Sequence, residues 1–186
     1  MKSSRNSAQR VCMIGMMAAI VFVSNYLRVP FMDTKLTAAN ALCAIAGLLF
    51  GPWGGFAAAG LGSFLFDLLT GYGAESLITL VSKGVIALVA ALIAGKSAYA
   101  AKLTRRATVR VVLGCAVGAL CYVALYMLKT FLFGLFINGL TYEATLIKMS
   151  VKLPGSLLNA LFAAIAGPVL FFALRPMLRY TGLRRE

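Results

Sequence analysis

Three lysines lie inside apolar stretches of this chain, each on a helical face with other polar groups. Lys83 shares a face with Ser76 and Thr79, Lys129 with Tyr122 and Tyr126, and Lys152 with Ser156 and Asn159, at spacings of three, four or seven residues. An ammonium facing hydrocarbon costs several kcal/mol, so such a group turns into a bundle, finds a partner or snorkels to the headgroups. Asp67 and Glu75 are the charged residues between Leu42 and Ser76. Helical rise brings Asp67 to nearly the depth of Lys83 on an antiparallel neighbour. Donors, acceptors and aromatic faces gathered at one depth are the chemistry of binding: a largely apolar pocket with a few placed polar groups. The structural alternative is snorkelling for Lys129 and Lys152, which lie nearest the surface, and helix packing for Asp67. Lys83 is the hardest to explain that way.

Reaction chemistry has little to work with. Histidine is absent, which removes the usual general base for a serine or cysteine nucleophile. Cys12, Cys43, Cys115 and Cys121 show no CxxC spacing, so neither a metal site nor a redox pair is indicated. The run AALIAGKS, residues 90–97, fits a relaxed phosphate-loop pattern but lacks the preceding strand that such a loop needs. No catalytic residue, metal ligand or cofactor is therefore assigned.

The elements that must position these groups are membrane helices. Of 186 residues, 61% are hydrophobic and 12% charged, with a mean hydropathy of +0.91, far from the composition of soluble domains. Apolar runs at about 11–29, 38–50, 53–70, 77–95, 111–136 and 151–174 predict six transmembrane helices in one all-α bundle, a single membrane domain over 1–186. The segment RVPFMDTKLT, residues 28–37, reads as a loop, GPWGG as a turn, and Pro154 as a first-turn proline. Gly51, Gly55, Ala59, Ser63 and Asp67 fall four apart, a stripe of small residues that lets another helix approach closely.

The net charge of +13 does not point to nucleic acid, because the basic residues cluster at segment ends rather than along one amphipathic face. Six crossings with both termini inside place Lys2, Arg5, Arg10, Lys96, Lys102, Arg105, Arg106, Arg110, Arg175, Arg179, Arg184 and Arg185 in the cytoplasm. The outer loops then keep Arg28, Lys35 and Lys148, as the positive-inside rule expects of a cell-membrane protein. Lys83, Lys129 and Lys152 all fall in the outer half. Trp53 is read as an interfacial aromatic. Phe31, Tyr72 and Tyr142 fit either that belt or a lid over a planar ligand.

The stretches GLLFGPWGGFAAAGLGSFLFDLL, SKGVIALVAALIAGK and KLPGSLLNALFAAIAGP, with a small-residue first helix, resemble the S components of energy-coupling factor (ECF) transporters. The similarity covers nearly the whole chain. It implies a substrate-binding subunit, not an enzyme, that takes a vitamin or related heterocycle of the riboflavin, folate, pyrimidine or queuosine-precursor type from outside. It also implies partners: a transmembrane coupling subunit carrying two ATPases, in a lipid bilayer. Under that resemblance the substrate-binding candidates are Lys83, Asp67, Asn159, Glu75, Thr79, Tyr126, Lys129, Lys152, Ser156 and Tyr72, beneath the first loop. Gly15, Ala18 and Ala19 are the docking candidates. Here the family's repeated Ala-xxx-Ala on the first helix is replaced by Gly15, Ala19 and then Val23. A self-sufficient secondary transporter or channel is the competing class; it favours internal repeats or broken mid-membrane helices, which the sequence lacks. A structural membrane protein, with Asp67, Lys83 and Asn159 as packing groups, is the third.

Overall fold

At Gly51 the backbone takes φ 79° and ψ −176°, a conformation open to glycine, and Pro52 follows without an N–H to continue a helical ladder. This residue folds helix α2 (Ala39–Leu69) into two parts, 39–50 and 52–69. A side chain at Gly55 would collide with the backbone of Gly47. Residues eight apart on a straight helix are separated by about 12 Å, so the two parts must run back along each other. The expected GPWGG turn is thus made at a single non-helical residue, and Gly51 drops out of the expected helical stripe of small residues.

The computed structural model describes residues 2–31, 34–73, 75–95 and 104–178. Helix α1 (Lys2–Ser24) leads to an antiparallel hairpin of β1 (Arg28–Phe31) and β2 (Thr34–Thr37), in which Arg28 pairs with Thr37 and Phe31 with Thr34. After α2 come α3 (Glu75–Ala94), α4 (Arg105–Leu132) ending in a π turn (Phe133–Ile137), and α5 (Tyr142–Leu178). Helices α1 and α3 pack on α2, α4 on α3, and α5 on both α4 and α2. Close approach has identifiable causes. A side chain at Gly62 would strike the Ala18 carbonyl, so α1 lies directly on the second part of α2.

The first part of α2 is the centre of the bundle. Ala39, Cys43, Ala44, Ile45, Ala46 and Leu48 are fully buried, among Val21, Ile86, Val111 and Phe171 from the other helices. The outer faces carry exposed Leu61, Leu92, Leu120, Leu161, Ile165 and Val169, the surface expected of a helix in lipid. Among the described residues, four helices are long and apolar enough to cross a membrane, Ala39–Leu69, Glu75–Ala94, Arg105–Ile137 and Tyr142–Arg175, and Ala8–Ser24 is a shorter apolar helix.

The structure is helical, as expected, with several departures from the sequence reading. The first helix stops at Ser24 rather than near residue 29, because the chain turns and enters β1 at Arg28. The segment read as a loop pairs with itself as a hairpin. Helix α5 starts at Tyr142, so Pro154 lies well inside it and leaves the Ser150 carbonyl without its usual helical donor. Lys96, Ser97, Lys102, Arg179, Arg184 and Arg185 lie outside the described residues, as do the side chains of Lys2 and Arg5.

Candidate functional site

A cavity of about 350 Å³ opens at the end of the bundle where α1, α2 and α4 finish and α3 and α5 begin. Its deepest cation is Lys83, 5% exposed, which donates to the side-chain oxygen of Asn40 in the first turn of α2. The same ammonium lies 5.0 Å from the centre of the Tyr122 ring, within cation–π range. Tyr122 and Tyr126, one helical turn apart on α4, stack at 5.9 Å with 20° between their planes. The result is a flat aromatic wall beside a buried positive charge.

The hairpin forms another wall. The Thr37 N–H donates to Asn159 Oδ1 at 2.9 Å, and Asn159 Nδ2 donates to the Lys35 carbonyl at 2.7 Å. One turn earlier on α5, Gly155 meets Thr34 so closely that a side chain there would overlap the Thr34 methyl. Arg28 covers the Phe66 ring at 5.2 Å, and Phe66 packs edge-on against Tyr26 at 4.8 Å. Asn25 donates to the Val21 carbonyl at 2.8 Å and reaches Ser63 at 3.5 Å, tying α1 to the second part of α2.

Two contacts stand at the rim. Lys129 pairs with Glu75 at 2.7 Å, joining the end of α4 to the start of α3. Lys35 donates to the Tyr72 hydroxyl and lies 5.1 Å from its ring centre.

Of the residues singled out in the sequence, Lys83, Asp67, Asn159, Glu75, Thr79, Tyr126, Lys129, Lys152 and Tyr72 all line this cavity. Ser156 does not; it is 2% exposed and its hydroxyl donates to the Lys152 carbonyl at 2.9 Å, an internal helix contact. Asp67 borders the cavity but does not pair with Lys83. The lysine's partner is Asn40, which the sequence reading missed, and Glu75 pairs with Lys129. The first loop, expected above the pocket, contributes Arg28, Thr34, Lys35 and Thr37, while Asn25, Phe66, Ser82 and Tyr122 were unanticipated as lining. Tyr122 had a usable signal, its shared face with Lys129. Phe31 sits on α5 near Gly155, while Tyr142 is 60% exposed and packs against Phe131, away from the cavity.

On α1, Gly15 and Ala19 are exposed on one face with Val11, Met16 and Val23, and nothing packs over Gly15. Ala18, the third residue of the expected docking set, is half-buried, and its carbonyl lies against Gly62. Trp53 is 79% exposed beside the Gly51 turn.

Aromatic faces, amide groups and cations converge on this cavity, while no cluster of metal-ligand side chains forms among the described residues. Aromatic faces and a few placed polar groups in a concave site are the chemistry of small-molecule binding. A solved structure described as "Structure and mechanism of the S component of a bacterial ECF transporter" superposes with a TM-score of 0.66 at 18% identity, covering 93% of this chain and 99% of that one. A search of curated proteins finds no match. The family model for the ECF-type riboflavin transporter S component matches residues 5–176. The chain thus belongs to the family of ECF-type riboflavin transporter S components, membrane subunits of a transporter rather than enzymes.

Proposed function

We propose that this protein captures a planar heterocyclic metabolite of the riboflavin type from outside the cell and delivers it through an ATP-driven coupling module. The observation that carries the reading is the cavity itself, in which a stacked tyrosine pair, a buried lysine and a hairpin wall meet at one end of a membrane bundle. The volume is at the small end of the range of about 300 to 1,000 Å³ typical of small-molecule sites. Arg10, Arg105, Arg106, Arg110 and Arg175 belong to the opposite end, which supports a cavity facing outward across the cell membrane. In this reading the two parts of α2 count as separate crossings, giving six, with both termini in the cytoplasm. Gly15 and Ala19 supply the face that meets a transmembrane coupling subunit, itself bound to two ATPases.

The test is reconstitution. Alone in vesicles the protein binds its substrate but does not accumulate it, and adding the coupling module with ATP starts uptake. Concentrative uptake by the isolated chain in ATP-free vesicles would identify a self-sufficient transporter instead.

A further inference from the structure

Lys83 borders the cavity, but the group that holds it does not. Asn40, absent from the lining, is fully buried in the first turn of α2, and its Oδ1 accepts a hydrogen bond from the Lys83 ammonium. The orientation of this amide is forced. Turned over, it would set Nδ2 against the ammonium, donor facing donor. Nδ2 is left buried with no hydrogen-bond partner among the described residues. A buried donor without a partner is destabilising, and a leucine of similar size would fill the same space without one. Packing therefore does not account for an amide at this position, whereas its hold on Lys83 does.

A second contact fixes the ammonium from another side. Lys83 Nζ lies 5.0 Å from the centre of the Tyr122 ring, whose face attracts the cation without a directed acceptor atom. Lysine carries three N–H donors and no acceptor. Among the described residues, the amide oxygen of Asn40 and the Tyr122 ring are its hydrogen-bond and ring contacts, so the ammonium keeps donor capacity toward a molecule in the cavity. Depth decides which part of that molecule it meets. Helix α3 begins at Glu75, on the rim, and reaches Lys83 about 12 Å further along its axis. Tyr122 precedes Tyr126 on α4, which finishes at the mouth, so it is the deeper of the stacked pair. A flat ring system resting on this wall brings its leading edge to Lys83, and its tail stays near the rim.

We propose that Asn40 is a positioning residue for ligand recognition. Without touching the ligand, it holds the Lys83 ammonium as donor to an acceptor atom, a carbonyl oxygen or an unprotonated ring nitrogen, on the leading edge of the planar ring system. This assignment rests on the cavity being the substrate site.

The test compares riboflavin with analogues that lose one edge acceptor each, on the full chain in detergent or nanodiscs. In the 2-thio and 4-thio compounds sulfur, a weak acceptor, replaces a carbonyl oxygen, and in the 1-deaza and 5-deaza compounds a C–H replaces a ring nitrogen. At least one analogue should bind about tenfold or more weakly than riboflavin, and the analogue that does so identifies the acceptor. Lys83→Met should shrink that ratio to within about threefold, whereas a penalty due to the size of sulfur survives the substitution. Asn40→Leu should shrink the ratio in the same way, and Asn40→Asp, which keeps an acceptor for Lys83, should retain it. A purely structural Asn40 would change stability and all affinities together and leave the ratio alone. If either Lys83→Met or Asn40→Leu does not fold, Asn40→Ser, too short to reach Lys83, carries the comparison. A ratio unchanged in every folded variant overturns the inference. Equal binding of riboflavin and all four analogues also overturns it and leaves the carrier reading standing. Binding of none of the five by folded protein overturns the flavin-type reading together with this inference.

Discussion

Asn159 holds Thr37 across 122 positions of sequence, accepting its N–H at 2.9 Å while donating to the carbonyl of Lys35 at 2.7 Å. Both halves of one side-chain amide are used on one strand, so β2 is fixed in register as well as in distance. The hairpin has a small footprint of its own, four residues per strand. An isolated two-stranded hairpin is at best marginally stable in water, so its order here comes from α5.

Replacing Asn159 by Ala should therefore loosen the hairpin and leave the helices intact. Each net hydrogen bond contributes about 1 kcal/mol, so losing two weakens ligand binding by roughly ten- to thirtyfold if the hairpin must be ordered to bind. Hydrogen exchange over residues 28–37 checks the cause. Weakened binding with unchanged exchange there would mean that Asn159 touches the ligand directly and does not act through β2.

Gly155 gives a sharper test of the same wall. Gly155→Ala puts a methyl where the Thr34 methyl already sits, and should displace the hairpin and reduce affinity. Thr34→Ser removes the obstructing methyl and should restore part of the loss, a coupling visible in a double-mutant cycle. Additive effects of the two substitutions would show that the two residues do not meet.

The two faces of α1 should respond differently to bulk. Gly15→Leu with Ala19→Leu adds volume on an exposed face, so thermal stability and ligand affinity should hardly change while assembly with the coupling subunit fails. Gly62→Leu drives a side chain into the Ala18 carbonyl and Val21, and should destabilise by about 1 to 3 kcal/mol or more. Thermal unfolding and co-purification separate the two. Normal co-purification of the Gly15, Ala19 double variant would move the docking face elsewhere.

The Lys129–Glu75 pair is short, but its side chains are 15% and 37% exposed. Solvent therefore screens it, and partly exposed pairs contribute about 0 to 1 kcal/mol. A double-mutant cycle with Lys129→Gln and Glu75→Gln should return a coupling below about 1 kcal/mol that falls with added salt. A coupling of several kcal/mol, insensitive to salt, would show the pair sealed from water.

Some of this architecture was legible in the sequence because it is local. Hydropathy marked the helices, Gly51 and Pro52 marked the reversal, and helical periodicity put Lys83 with Thr79 and Lys129 with Tyr126. What escaped depends on partners far along the chain. Nothing near residue 34 announces Gly155, and nothing near residue 37 announces Asn159. The shared depth of Asp67 and Lys83 followed from the helical rise along two antiparallel helices. Asn40 escaped, because its helix begins lower in the bundle than a uniform set of crossings would suggest. The hairpin was hidden by its length and by Pro30, both of which weaken a strand signal.

That late start has a consequence for solvent. Residues 39–50 rise about 18 Å as a helix, against a hydrocarbon thickness of about 30 Å. The shortfall, about 12 Å, matches the drop from Glu75, where α3 begins, to Lys83, which meets the first turn of this short helix. The cavity thus takes the place of the missing turns at the middle of the bundle. In a membrane, a recess of that depth would be open to water from one end when no ligand fills it, and a bound molecule would stand in for the absent length of helix.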